Sequence, residues 1–568
     1  MESAISLDDV RRAFAARDPA LADLIAAAAR GGDARPTGPV RDGALTWWDL
    51  VRELRSRGFA KKPAAEQAAW RRERLAALEA PDAEVPLPDR WRLHATILEL
   101  WTDDGPFARS QLLRLIATVP LRYGPWRALK QIFKEAEARQ DFEVYGALAA
   151  RLDNEFAQHR VTGDVSRKTL GYLVRRAWRT LRRLAETLPA AYADAAVEVL
   201  CRYTDDTNWS RTWIANHLFY HGTGEYGRRR FRFRKRPSTL LKYRAASDLW
   251  RRTPRPLFAL LERAQADQAR RFAIDALKTD FRATLREVEP SWVARLIGVR
   301  SPVVDVFVVW LLDNVPRFER GALRGLGLHQ AVLSLLDSSA EQARASAAAY
   351  ARTHARDLPL AELLRLADHA DDAVRGMAHD LLGDRDPRDE VGLDGWGRLL
   401  GTDHAHDLAA KALRKHFTAR ELTPAWFRDR LLSSNRAVVD FAAELLPKVH
   451  NDKQLGAAFY RDLLDAADIG RRAVEFALNA LQRFPAAELE IEFVRRALLH
   501  PHAGRRMRTF VNEGRVKAVD LGAGYLKALA DEGTFAEDTW IAALRKSGRP
   551  WARDLEFDHD LAGFALDL

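Results

Sequence analysis

Between Leu257 and Val516 the apolar positions return in one phrase: an apolar helix, a short polar turn, and a second apolar helix with a small or aromatic residue at its centre. The second helices align on Ala273, Phe307, Ala347, Ala378, Ala412, Ala442, Ala477 and Phe510. Their spacing, roughly 30 to 40 residues, is that of two-helix repeats. Within each unit the apolar residues fall three and four apart, as in Val438, Phe441, Ala442, Leu445 and Leu446, which is one face of a helix. Such a unit cannot bury its faces alone and must stack on its neighbours.

Upstream the pattern is helical but less regular. Leu7 to Arg30 reads as one helix, closed by the linker Gly31 to Pro39. Trp47-Trp48 opens a second helix, Ala64 to Glu79 forms a third, and Ala80 to Pro88 reads as a loop. From Trp91 to Phe156 helices alternate with breaks at Asp103-Asp104-Gly105-Pro106 and at Pro120 to Pro125. Ser166 is a suitable N-cap for a helix whose stripe is Leu170, Leu173, Ala177, Leu181 and Leu184. Pro189 ends it, and helices are expected over Ala190 to Tyr203 and Asn208 to Tyr220. Arg230-Phe231-Arg232-Phe233-Arg234 alternates with period two, the signature of an extended or hairpin segment. The pattern predicts an all-α fold of stacked helical hairpins. Its parts are N-terminal helices and linkers over 1–90, an irregular hairpin region over 91–256 with a basic insert at 222–237, the repeat array over 257–530, and a cap over 531–568.

The repeats Ala373-Val374-Arg375-Gly376-Met377-Ala378-His379-Asp380-Leu381-Leu382 and Ala437-Val438-Val439-Asp440-Phe441-Ala442-Ala443-Glu444-Leu445-Leu446 resemble second helices of the HEAT-repeat, armadillo-like family. The resemblance covers about half the chain and implies an α-solenoid with a concave binding surface, not a reaction. Ser166 to Leu184, with Arg175-Arg176-Ala177-Trp178, is similar to a region of large bacterial HEAT-like proteins, some of which carry a WGR domain. The string Gly395-Trp396-Gly397-Arg398 lies between expected helices without strand-like flanks and reads as coincidence.

Charge adds a location. The chain of 568 residues carries a net charge of +11, yet residues 160–256 hold 22 Lys/Arg against 8 Asp/Glu, and the remainder sums to −3. A field concentrated in that way attracts polyanions. Two elements supply it: Arg175, Arg176, Arg179 and Arg183 on the basic helix, and Arg228, Arg229, Arg230, Arg232, Arg234, Lys235 and Arg236 in the insert. Guanidinium groups bind phosphate bidentately, and Phe231 and Phe233 between them suit stacking on exposed bases. The partner expected is DNA, RNA or an acidic protein.

Catalytic and metal signals are weak. Cys201 is the only cysteine, so intrachain disulfides and Cys-rich zinc sites are excluded, and a reducing cytoplasm fits. No run is apolar enough to span a bilayer, and the Arg- and Ala-rich usage suits a GC-rich bacterial genome. His217 and His221 stand four apart but lack the Glu of a zinc-protease motif, and an aromatic packing stripe with Trp209 and Trp213 explains them better. Asp403-His404-Ala405-His406-Asp407 falls at an expected turn, where capping accounts for it. The acidic run Asp554 to Asp560 reads as a solvated end. Gly222 to Gly227 matches G-x-G-x-x-G only formally, since no strand precedes it and no helix follows. No cofactor, metal or catalytic residue is expected.

The leading expectation is a non-enzymatic scaffold that binds nucleic acid or another polyanion. Its rivals are a protein-only scaffold for an acidic or ATPase partner, and a HEAT-like base-excision enzyme using Trp292, Asp305 and Trp310.

Overall fold

The computed structural model describes residues 5–31, 45–54, 56–80, 85, 87–158, 164–223, 226–227, 230–231, 241–466 and 469–568. The linkers expected at Gly31 to Pro39 and Ala80 to Pro88 fall largely outside these residues. Among the described residues the fold is all-helical apart from one two-residue pairing, Tyr226–Gly227 with Arg230–Phe231. No described helix is long and apolar enough to cross a membrane. The chain divides into two compact units, Met1–Ala340 and Glu341–Leu568.

All eight expected second helices are present, and each central residue is buried, from Ala273 at 0% exposure to Ala412 at 9%. In the first unit Arg255–Arg263 packs on Asp267–Asp280 and Pro290–Ile297 on Pro302–Asn314; the two second helices also pack on each other. In the second unit Leu360–Ala367, Gly392–Leu399, Pro424–Leu431, Asp452–Leu464 and Ile491–Leu499 each pair with the helix that follows. Within this unit second helices also pack on one another, Glu341–His354 on Asp372–Gly383, and His406–His416 on Arg436–Val449 on Arg471–Leu481. Small central residues allow that approach. Gly395-Trp396-Gly397-Arg398 lies inside the helix Gly392–Leu399. The acidic tail has structural work as well: Asp558 caps His559–Asp567 and pairs with Arg508 at 2.8 Å.

Two expected helices are shorter. Leu7 to Arg30 is two helices, Leu7–Ala15 and Leu21–Arg30. Arg17 adopts a left-handed φ of 52° and Pro19 has no N–H to continue the ladder. Asn208 to Tyr220 is helical only over Ile214–Tyr220. Its start is fixed from another helix: the fully buried Asp153, on Phe142–Ala157, accepts the backbone N–H groups of Trp213 at 2.6 Å and Ile214 at 2.8 Å and the Tyr203 hydroxyl at 2.7 Å. Periodicity within 208–220 carries no trace of that distant cap.

Candidate nucleic-acid interface

The basic helix runs over Arg167–Thr187, and Ser166 caps it as expected, accepting the Thr169 N–H at 3.2 Å. Its apolar stripe packs on Phe142–Ala157 and Pro189–Leu200, which turns the arginines outward. Those arginines are not equivalent. Arg176 and Arg183 both donate to the nearly buried carboxylate of Glu137, at 2.6 and 3.2 Å. Arg175 lies over the Trp213 ring at 5.8 Å and Arg179 over the half-exposed Tyr172 at 5.9 Å; neither has an ion pair among the described residues. The insert is closed at its base, where the Gly222 N–H donates to the Tyr243 carbonyl at 3.0 Å. Arg230 and Phe231 belong to the second strand of the hairpin it contains. Arg228, Arg229, Arg232, Phe233, Arg234, Lys235 and Arg236 lie outside the described residues, as do Gly224 and Glu225 of the formal glycine motif.

Where the basic helix begins, Ser166 and Thr169 form part of the wall of a cavity of about 1130 Å³. The sequence did not single this cavity out. Its lining includes Arg71, Arg72, Arg90, Arg122, Arg127, Lys130 and Lys134, with Glu135 and Asp164 the acidic members. Arg127, Lys130 and Lys134 sit three and four residues apart on Pro125–Arg139 and so share one face. Burial, then the neighbouring charges of Lys134 and Arg71, push the Lys130 ammonium below its usual pKa. Crowded like charges of this kind are relieved by a bound anion. Arg127 is engaged by Glu79 at 2.9 Å; Arg72, Lys130 and Lys134 have no ion pair among the described residues.

The opposite chemistry is aromatic. Trp48, Trp47, Trp91 and Tyr123 follow one another at centroid distances of 3.8, 5.9 and 4.0 Å. Trp47 and Trp91 anchor a small core with Leu50, Leu75, Leu78 and Leu87, so the inner rungs are fixed by packing. The outermost, Trp48, is 39% exposed. A stitch built on the buried Arg90 joins the two sides. Arg90 donates to Asp164 at 3.1 Å, and Asp164 accepts the Tyr123 N–H at 2.8 Å. Burial alone would raise the Asp164 carboxyl, but the Tyr123 amide and Arg90 hold it below the ordinary range.

Gly124 makes the close approach possible. Its φ is 98°, and a Cβ there would stand 2.2 Å from the Arg90 carbonyl oxygen. Gly124→Ala is therefore expected to lower the unfolding free energy by at least ~2 kcal/mol, measured by urea denaturation. A neutral result would mean that the turn relaxes freely.

The remaining sequence candidates have structural partners. The His217 and His221 Nδ1 atoms are 3.0 Å apart, and His217 stacks on Trp178 at 4.6 Å. Burial pushes His217 down to about 3, so the ring is neutral and part of the aromatic packing. His406 Nδ1 meets the Leu400 carbonyl and the His404 N–H donates to Asp368, both turn contacts. No group of three metal-ligating side chains occurs among the described residues. Burial drives the Cys201 thiol up to about 11, which makes it a poor nucleophile. Trp292 donates to Glu262, Asp305 accepts from Ser338, and Trp310 stacks on Phe307, so each of the three has its own partner. In comparisons with known proteins, no family model, no curated protein and no solved structure matches this chain.

Proposed function

We propose that the protein is a non-enzymatic α-solenoid scaffold of HEAT-like hairpins that binds a nucleic acid or another polyanion. The observation that carries this reading is the cavity, where seven cationic side chains face two carboxylates beside a run of tilted aromatic rings in contact. Cations supply the long-range attraction and most of the affinity for a phosphate chain. The basic helix starts at the cavity wall, where Ser166 and Thr169 lie, and its exposed arginines continue away from it along the axis. The arginines of the insert add a third point of attachment, on a loop pinned at Gly222 and Tyr243.

Binding measured across salt concentrations tests the reading. Replacing Arg228, Arg229 and Arg230 by Glu is expected to weaken binding and flatten its salt dependence, by about 0.7 in slope for each phosphate of a single strand that is no longer neutralised. An unchanged slope removes the insert from the interface. Absence of binding to any nucleic acid at low salt, with an acidic protein retained after nuclease treatment, replaces the polyanion reading by the protein-only one.

A further inference from the structure

We infer that the cavity holds unpaired nucleotides, so that the preferred ligand is a single-stranded nucleic acid gripped by its bases as well as its phosphates. This rests on the polyanion reading above and narrows it. The cavity wall is divided by chemistry. Arg127, Lys130 and Lys134 form a cationic ridge along one helix, and the rings from Trp48 to Tyr123 form a ladder beside it. Phosphates need only the ridge. The ladder matches a second feature of the ligand, a flat π-face. In a duplex the base faces are covered by their neighbours, and only base edges and backbone are on offer. A single strand presents phosphate and bare base together, and stacking on an aromatic side chain is tolerant of sequence.

The anchoring of the rings points the same way. Trp47 and Trp91 are 2% and 3% exposed, so they form a fixed backing at the cavity wall against which the outer ring of Trp48, 39% exposed, is held. An acidic polypeptide would satisfy the ridge but offers carboxylates, with no repeating planar group for the rings. Trp48 is the rung open to solvent, and it is the side chain on which the first base is placed.

Fluorescence anisotropy of labelled probes, titrated with the full chain at low salt, tests this. The probes are oligo-dT, oligo-U, a blunt DNA duplex, an abasic single strand of equal length, and poly-glutamate. Oligo-dT and oligo-U are expected to bind about tenfold or more tighter than the duplex and the abasic strand. Trp48→Ala is expected to remove that advantage while leaving the abasic strand unaffected, and Trp48→Phe to restore most of it. Equal binding of duplex and single strand overturns the inference while leaving the polyanion reading intact. So does a Trp48→Ala effect shared equally by the abasic strand. Poly-glutamate bound as tightly as oligo-dT overturns it in favour of an acidic protein. No binding by any probe removes both.

Discussion

Replacing Arg72, Lys130 and Lys134 together by glutamate is expected to lower affinity for a single-stranded oligonucleotide by at least ~100-fold at physiological salt, and to reduce the salt slope by about 2. These three line the cavity and have no ion pair among the described residues, so their charge is available to a ligand. Reversal also puts carboxylates where Lys130 is now crowded by Lys134 and Arg71, which repels phosphate instead of only failing to attract it. Lys134 and Arg72 are exposed, so little stability should change, and a circular-dichroism melt checks that. Arg176 and Arg183 give the contrast. Both are already held by Glu137, and their replacement by Gln is expected to change affinity only a few-fold. Equal losses in the two variants would mean that the basic helix, and not the cavity, governs binding.

The second large effect is on stability. Asp153→Ala is expected to lower the unfolding free energy by about 3–5 kcal/mol. The side chain is fully buried and serves as acceptor for the Trp213, Ile214 and Ala215 N–H groups and the Tyr203 hydroxyl. Its removal leaves buried donors without a partner and frees the start of Ile214–Tyr220, the helix that leads into the basic insert. The penalty should also depend on pH. Burial raises the Asp153 carboxyl to about 6 even though the Trp213 amide and its fellow donors pull it down. The folded chain therefore keeps this proton up to about pH 6, whereas the unfolded chain releases it near the ordinary 3.8. The contribution to stability is full below the unfolded value, declines as pH rises through the folded one, and is flat above. Urea denaturation should accordingly show a penalty larger at pH 5 than at pH 7.5 by about 1 kcal/mol. A penalty under ~1 kcal/mol at both pH values would mean that water replaces the carboxylate.

The helices were largely legible because each repeats its apolar residues at helical spacing and is bounded by strong local signals. Ser166 and Pro125 mark starts that the structure retains, and Pro189, read as the end of the basic helix, stands at the first position of Pro189–Leu200. Of the two boundaries that failed, the break between Leu7–Ala15 and Leu21–Arg30 follows from the local residues Arg17 and Pro19; the other depends on a partner far along the chain, as Ile214 depends on Asp153. The cavity was illegible for a related reason. Residues 64–139 hold 12 Lys/Arg against 11 Asp/Glu, so no window of sequence looks basic. Folding separates those charges, turning Arg127, Lys130 and Lys134 to one wall while Glu137 faces Arg176 and Arg183 of Arg167–Thr187. The one local hint was the face spacing of Arg127, Lys130 and Lys134, read beside Trp47-Trp48 and Trp126. Conversely, the arginine-rich helix looked uniformly available in sequence, and Glu137 occupies two of its four nominated side chains.

Mapping photocrosslinks from a 4-thiouridine-substituted single strand tests most directly whether cations dispersed along the chain are gathered into one ligand-holding wall. Adducts are expected on the peptides carrying Trp48, Tyr123 and Trp126, and they should disappear in the Arg72, Lys130 and Lys134 triple variant. Adducts confined to residues 341–568, or undiminished in that variant, would contradict the account.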